Sequence, residues 1–298
     1  MRLISYRQST NSPKSTMEGW GVLDANDVIP MADAWPTLRD ALASGNHAIE
    51  DRLARSRADR IALSSVSLLP PVTRPGKIFC VGVNYGRHAA EAGRELPSQP
   101  SVFVRHIQSF VGHGGHTIRP WLSDRYDFEA ELAVVIGRGG RHIQETEAMD
   151  HVAGYTCAAE NSVRDFQKHS TQATAGKNFD ASGALGPWIT LAGGAPSLSD
   201  MRVIGRLNGT EMQNGAVADL VFPVPYLIAY LSSFATLEPG DLILTGTPEG
   251  VGSARKPPVW MKEGDVFEVE IAGVGLLSNT VSDEARPAGQ AASTRRDA

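Results

Sequence analysis

The chain has 298 residues, which fits one large domain with a small appendage or two medium domains. Hydrophobic residues make up 42% and charged residues 20%, and the net charge of −5 argues against a basic surface for nucleic acid. The best apolar run, 132–137, is strand-sized and too short to span a bilayer. The opening MRLISYRQSTNSPKS lacks the apolar core of a signal peptide, so a cytoplasmic protein with no membrane partner is expected. Cys80 and Cys157 each sit in an apolar strand-like run without a CxxC partner and are read as reduced core thiols.

Residues 1–70 read as a small α+β accessory region. Two short strands are expected over 19–30, around a turn at 24–27. Apolar spacing predicts helices over 35–43 and 48–62. The proline-rich run 69–76 then marks a boundary, because prolines remove backbone donors and restrict the chain. Residues 71–282 have a different texture. Strand-like runs at 77–83, 101–104, 131–136, 154–158, 203–207, 241–244 and 266–271 alternate with glycine- and proline-rich turns. Short helices fit at 85–92, 147–151 and 224–234. Regular βαβ alternation is missing, which disfavours a Rossmann sheet or a TIM barrel and leaves a mixed α/β, β-rich roll or sandwich. The polar end, 283–298, is expected to be a disordered tail.

In Asp127-Phe-Glu129-Ala-Glu131, followed by the apolar run 132–136, the two glutamates are two apart on a strand and share a face. Paired buried carboxylates repel, and a hard divalent cation removes that cost with oxygen-only ligation. The spacing alone favours a solvated strand face with two exposed acids. Glu160 ends the apolar run 154–159 at a turn, where it is either a ligand or a turn-capping acid. In Tyr85-Gly-Arg-His88-Ala-Ala-Glu91, the histidine and glutamate three apart share one helix face. A carboxylate there orients the imidazole and raises its basicity, although a surface pair has the same spacing. Residues 92–100, with Gly93 and two prolines, suit a mobile lid. His113-Gly-Gly-His116 lacks a third ligand and is not read as a zinc site, and His106 and His169 are left unassigned.

Several segments, in order, resemble the fumarylacetoacetate hydrolase family: Lys77-Ile-Phe-Cys-Val-Gly-Val-Asn-Tyr-Gly-Arg-His88, Asp127 to Glu131, Gly154-Tyr-Thr156 through Arg164-Asp165, Gly176-Lys-Asn-Phe179, and Thr245-Gly-Thr-Pro-Glu-Gly-Val-Gly252. The resemblance spans 77–281. It implies a mixed β-roll, commonly a homodimer, with one Mg²⁺ or Mn²⁺ per subunit held by Glu129, Glu131 and Glu160. The third family ligand is more often Asp, within an Asn-Asp pair; here the pair is Ala159-Glu160, with Asn161 as a fallback ligand. The resemblance further implies that His88 and Glu91 activate water and that Lys177 lies near the metal and substrate oxygens. Arg164, Gln167, Tyr85, Arg105 and Thr247 then form the substrate-binding set, with Thr247 holding a carboxylate and Arg105 adding positive potential. Arg164 has an equal alternative, pairing with a local acid. The expected reaction is hydrolysis of a carbon–carbon bond in a 1,3-dicarbonyl or acylpyruvate-type substrate. The same site suits decarboxylation of an oxaloacetate-like 2-oxo acid or hydroxymuconate-type isomerisation, and a non-catalytic metal-stabilised binding protein is the reading of another class.

Overall fold

The apolar run after the two acids forms a strand, Ala130–Ile136, with every residue buried. It belongs to a computed structural model that describes residues 1–9, 16–93 and 95–288. Leu132, Val134 and Ile136 join one hydrophobic cluster, whereas Ala133 and Val135 join another. That two-residue alternation, apolar on both sides, is the pattern of a strand covered on both faces.

The strand lies inside a twelve-stranded sheet. Its main path runs Ile61–Ala62, Asp27–Pro30, Thr16–Asp24, Arg2–Ser9, Gly183–Leu191, Val152–Ala159, Ala130–Ile136, Leu242–Leu244, Ile78–Val81 and Val102–Val104. A five-stranded sheet runs Thr210–Ala216, Arg202–Leu207, Val266–Ile271, Gly275–Asp283 and His116–Arg119. Its Val203, Phe267, Val269 and Leu277 pack in the same cluster as Leu132 and Val134, so the core lies between the two sheets. The fold is mixed α/β and β-rich.

Residues 1–70 join the large sheet directly. Arg2 and Leu3 pair with Thr190 and Ile189, and Leu3, Trp20, Leu38 and Leu42 pack with Ala133 and Val135. The expected turn at 24–27 connects Thr16–Asp24 to Asp27–Pro30. Helix Leu38–Ser44 begins at a capping box: the Thr37 hydroxyl accepts from Asp40 N, and Thr37 N donates to Asp40.

Four expectations are corrected. The helix read over 48–62 is Asn46–Ala54; the polar stretch after Ala54 has no face to bury, and Ile61–Ala62 pairs as a strand with Asp27 and Val28. The helix read at 147–151 is a 3-10 helix, Glu145–His151. Strand Gly183–Leu191, central to the sheet, was not read as one, because Gly183, Gly186 and Pro187 punctuate it like a turn. Asp283, read as the start of the tail, closes strand Gly275–Asp283; residues 289–298 of that tail, and Arg94 of the lid segment, lie outside the described residues. Both cysteines are buried and unbridged.

Candidate active site

Strand register builds the acidic cluster. Ala130 is paired with Ala159 and Glu131 with Ala158, so Glu160 lies opposite Glu129, and Glu160 N donates to Glu129 O at 2.8 Å. Oxygens of Glu129, Glu131 and Glu160 lie within 4.8 Å of one another, and all three residues are buried. Acids 31 residues apart in sequence thus converge because the hairpin register brings their strand ends together.

Three cations surround them. Lys177 Nζ, 2% exposed, donates to Glu129 Oε2 at 2.9 Å, to Glu160 O at 3.0 Å and to Glu160 Oε2. Arg105 Nη1 donates to Glu160 Oε1 at 3.0 Å. Arg164 Nε donates to Asp127 Oδ2 at 2.6 Å, and its Nη2 lies 2.7 Å from Glu129 Oε1 as an ion pair without hydrogen-bond alignment. Ser162 Oγ also donates to Glu129 Oε1, at 2.7 Å. Glu131 accepts from Gly246 N at 2.8 Å and touches none of the three cations through a hydrogen bond.

The titration of the cluster follows from those contacts. Burial pushes the Glu131 carboxyl well above the usual range, and the charges of Glu160 and Glu129 push it the same way. Burial acts on Glu129 too, but Arg164, Lys177 and the Ser162 hydroxyl outweigh it and hold its carboxyl low. Burial raises Glu160 against the pull of Lys177 and Arg105. Lys177 stays charged, because Glu129 and Glu160 overcome its desolvation. Four acids, counting Asp127, face three cations, which leaves Glu131 without a balancing charge. A buried, all-carboxylate donor set with one uncompensated negative charge fits a hard divalent cation.

The His88–Glu91 pair is formed as spaced. His88 Nδ1 lies 2.8 Å from Glu91 Oε1 on helix Gly86–Glu91. Both Glu91 oxygens also accept from Gly250 N at 3.0 Å, so the glutamate fastens this helix to the glycine-rich loop. Gly250 has φ +98°, and a Cβ there would stand 2.1 Å from Met212 O, so no other residue fits. Asn84 anchors the same helix entry: its Nδ2 donates to Thr245 O and Phe222 O, and its Oδ1 accepts from Phe222 N.

The remaining substrate candidates are placed differently from one another. Gln167 accepts from Arg164 Nη1 at 2.9 Å, and Arg164 itself takes the local-acid alternative with Asp127 and Glu129. Tyr85 is buried, its hydroxyl has no hydrogen-bond partner among the described residues, and it lines a cavity of about 210 Å³ with Gly86, Arg87, Asp219 and Glu249. Thr247 does not present a free hydroxyl: Oγ1 donates to Ala130 O at 2.9 Å and accepts from Gln213 Nε2 at 2.7 Å, so its proton is not directed at a carboxylate. Asn161 directs its amide nitrogen to Tyr126 Oη, and the clustered acid is Glu160. His113 and His116 bond Ser278 N and Ser282 Oγ of the neighbouring strand.

Sequence reasoning gave no role to Asp127, Ser162 or Gln213. Asp127 is completely buried, accepts from Gly252 N at 2.7 Å and Ser253 N at 3.1 Å, and so ties the acidic segment to the glycine-rich loop. Its signal was its place at the head of the acidic motif. Nothing in the local sequence marks Ser162 or Gln213.

Residues 77–282 match the family model described as Fumarylacetoacetate (FAA) hydrolase C-terminal. The chain is 40% identical over 291 residues to oxaloacetate tautomerase fahd2, mitochondrial, of Xenopus laevis, covering 94% of this chain and 90% of that relative. It is 37% identical over 287 residues to oxaloacetate tautomerase FAHD2A, mitochondrial, of Homo sapiens, covering 94% and 91%. Maleylpyruvate hydrolase from Sphingobium sp. SYK-6, solved in complex with manganese(II) ion and pyruvate, aligns with a TM-score of 0.77 at 27% identity, covering 96% of this chain and 100% of that one. For 5-carboxymethyl-2-hydroxymuconate delta-isomerase from Mycobacterium smegmatis the TM-score is 0.75 at 28% identity, covering 95% and 100%. Both curated relatives are named as mitochondrial, and among the described residues no helix is long and apolar enough to cross a membrane. With the family model matched over more than half its length and relatives at this level of identity, the chain belongs to the fumarylacetoacetate hydrolase family.

Proposed function

We propose that this chain is a divalent-cation-dependent enzyme interconverting the keto and enol forms of a small 2-oxo dicarboxylic acid of the oxaloacetate kind. The observation that carries this choice is the 40% identity, along 94% of the chain, to a protein named oxaloacetate tautomerase. The geometry supports it, because enolisation needs an electrophilic centre and one proton carrier. When bound at Glu129, Glu131 and Glu160, Mg²⁺ or Mn²⁺ supplies the Lewis acidity that makes the C3 protons of a chelating 2-oxo acid labile.

The chain's own residues do the rest. Lys177, Arg105 and Arg164 hold two of the acids in place and keep the cluster near neutrality. Glu91 engages His88 Nδ1, which leaves Nε2 as the basic nitrogen. His88 removes a proton from C3; the freed electron pair forms the C2–C3 double bond, and the C2 oxygen takes the proton back. No water or co-reactant is consumed. A second reading, carbon–carbon bond hydrolysis, is favoured by the same dyad, which is equally able to deprotonate water, and by the likeness to the maleylpyruvate hydrolase.

Supplying oxaloacetate, an acylpyruvate and a hydroxymuconate-type diene with Mn²⁺, and identifying the products, separates the readings. Rapid keto–enol equilibration with total oxaloacetate conserved is expected. Faster release of pyruvate from the acylpyruvate than equilibration of oxaloacetate refutes tautomerisation, and no turnover of any substrate refutes an enzyme.

A further inference from the structure

Arg105 does more than contribute positive charge. Its side chain is completely buried. Its guanidinium carries five N–H donors, and five acceptors receive them. Nε donates to Ser109 Oγ at 3.1 Å, Nη1 to Glu160 Oε1 at 3.0 Å and Asn161 O at 3.2 Å, and Nη2 to Ser109 O at 3.3 Å and Ser182 Oγ at 3.0 Å. The Phe110 ring lies 4.2 Å from the guanidinium carbon. Four of the five bonds go to groups other than the Glu160 side chain, so the guanidinium is fixed independently of the acid it holds. Arg105 takes Oε1 of Glu160 while Lys177 takes Oε2, which blocks rotation of the carboxylate. No hydrogen bond joins Arg105 to Glu129 or Glu131 among the contacts of the described residues.

We propose that Arg105 is a positioning residue that fixes the plane of the Glu160 carboxylate and so sets the chain's affinity for its divalent cation. This rests on the reading of Glu129, Glu131 and Glu160 as a cation site. Charge alone predicts the opposite sign, since a guanidinium beside a cation site repels the ion. Arg105→Lys keeps the charge and loses the fork, and therefore separates orientation from electrostatics.

The test is a double-mutant cycle on the full chain, with Mn²⁺ alone as probe and free Mn²⁺ counted by electron paramagnetic resonance. Melting of each variant in EDTA is recorded alongside. R105K is expected to raise the Mn²⁺ dissociation constant about tenfold, the size of one charge-assisted hydrogen bond. E160D, one methylene shorter, loses the same contact, so adding R105K to it is expected to cost no more than about twofold further. The bound-Mn²⁺ line shape is expected to change in both single variants. Wild-type affinity in R105K with lowered melting, or effects that multiply in the double variant, overturns the proposal and leaves Arg105 structural. Should R105K not fold, Ser182→Ala, which removes one anchor of the fork and no charge, decides: weaker Mn²⁺ binding supports the proposal and unchanged binding overturns it. A wild-type chain that binds no Mn²⁺ overturns the cation-site reading, and this inference with it.

Discussion

Replacing Glu131 by Gln is expected to stabilise the metal-free chain and to destabilise it relative to wild type once cation is added. The change is nearly isosteric, and the amide oxygen can still accept from Gly246 N. What disappears is a negative charge whose oxygens lie within 4.8 Å of those of Glu129 and Glu160. At an effective dielectric of about 20, one such pair at that separation repels by at least about 3.5 kcal/mol. Lys177, bonded to both neighbours, offsets much of the total. A net gain of about 1–3 kcal/mol is expected in EDTA at pH 8, a rise in melting temperature of about 2–6 °C. The gain has a pH signature. Folded Glu131 keeps its proton to higher pH than an unfolded glutamate, whose ordinary value is about 4.3. Over that interval the folded state binds more protons, so wild-type stability falls as pH rises through it. The advantage of Gln is therefore nearly absent at about pH 4 and complete above the folded pKa. With Mn²⁺ at about a thousandfold excess over its dissociation constant, wild type gains about 4.1 kcal/mol and the variant little, which reverses the order. Differential scanning calorimetry in EDTA and in Mn²⁺, at both pH values, reads all four cases. An E131Q chain that melts below wild type in EDTA at pH 8, or that gains as much from Mn²⁺, refutes the reasoning.

His88→Gln is expected to lower kcat for oxaloacetate equilibration by about 10²–10⁴ while leaving Mn²⁺ affinity unchanged, measured by stopped-flow absorbance and titration. Lys177→Met leaves Glu129 and Glu160 without a shared buried partner, and urea unfolding in EDTA should show a loss of about 3–5 kcal/mol, partly recovered with Mn²⁺. Gly252→Ala places a Cβ 1.9 Å from Val259 O and 2.6 Å from Asp127 Oδ1, so the loop must leave Asp127. A loss of more than about 2 kcal/mol is expected, and an unperturbed melting temperature would show that Asp127 does not tie the loop to the acidic segment.

What could be read in advance divides along one physical line: local periodicity is legible, and partnership across the sheet is not. Glu129 and Glu131 share a face because a strand repeats every two residues, and His88 meets Glu91 because a helix returns after three. Residue types and spacing suffice for both. Convergence of Glu160 on the first pair depends on the register Ala130 to Ala159, which no local feature fixes; only the family resemblance supplied it. Misreadings arose where local and tertiary preferences disagree. Gly183–Leu191 is a central strand despite glycine and proline, because neighbours on both sides complete its hydrogen bonding. Thr247 is a different case: the partners of its hydroxyl, Gln213, 34 residues away, and Ala130 O, are tertiary contacts that no local pattern names. Arg105 is the extreme case. The resemblance gave it only a place in the substrate-binding set as a source of positive potential, whereas its contacts to Glu160 and Ser182 lie 55 and 77 residues further along. Each donor of a buried guanidinium that goes unmet costs free energy. The five acceptors that meet it are therefore a condition of the fold, and the same condition leaves Glu160 a single orientation in which to serve the site.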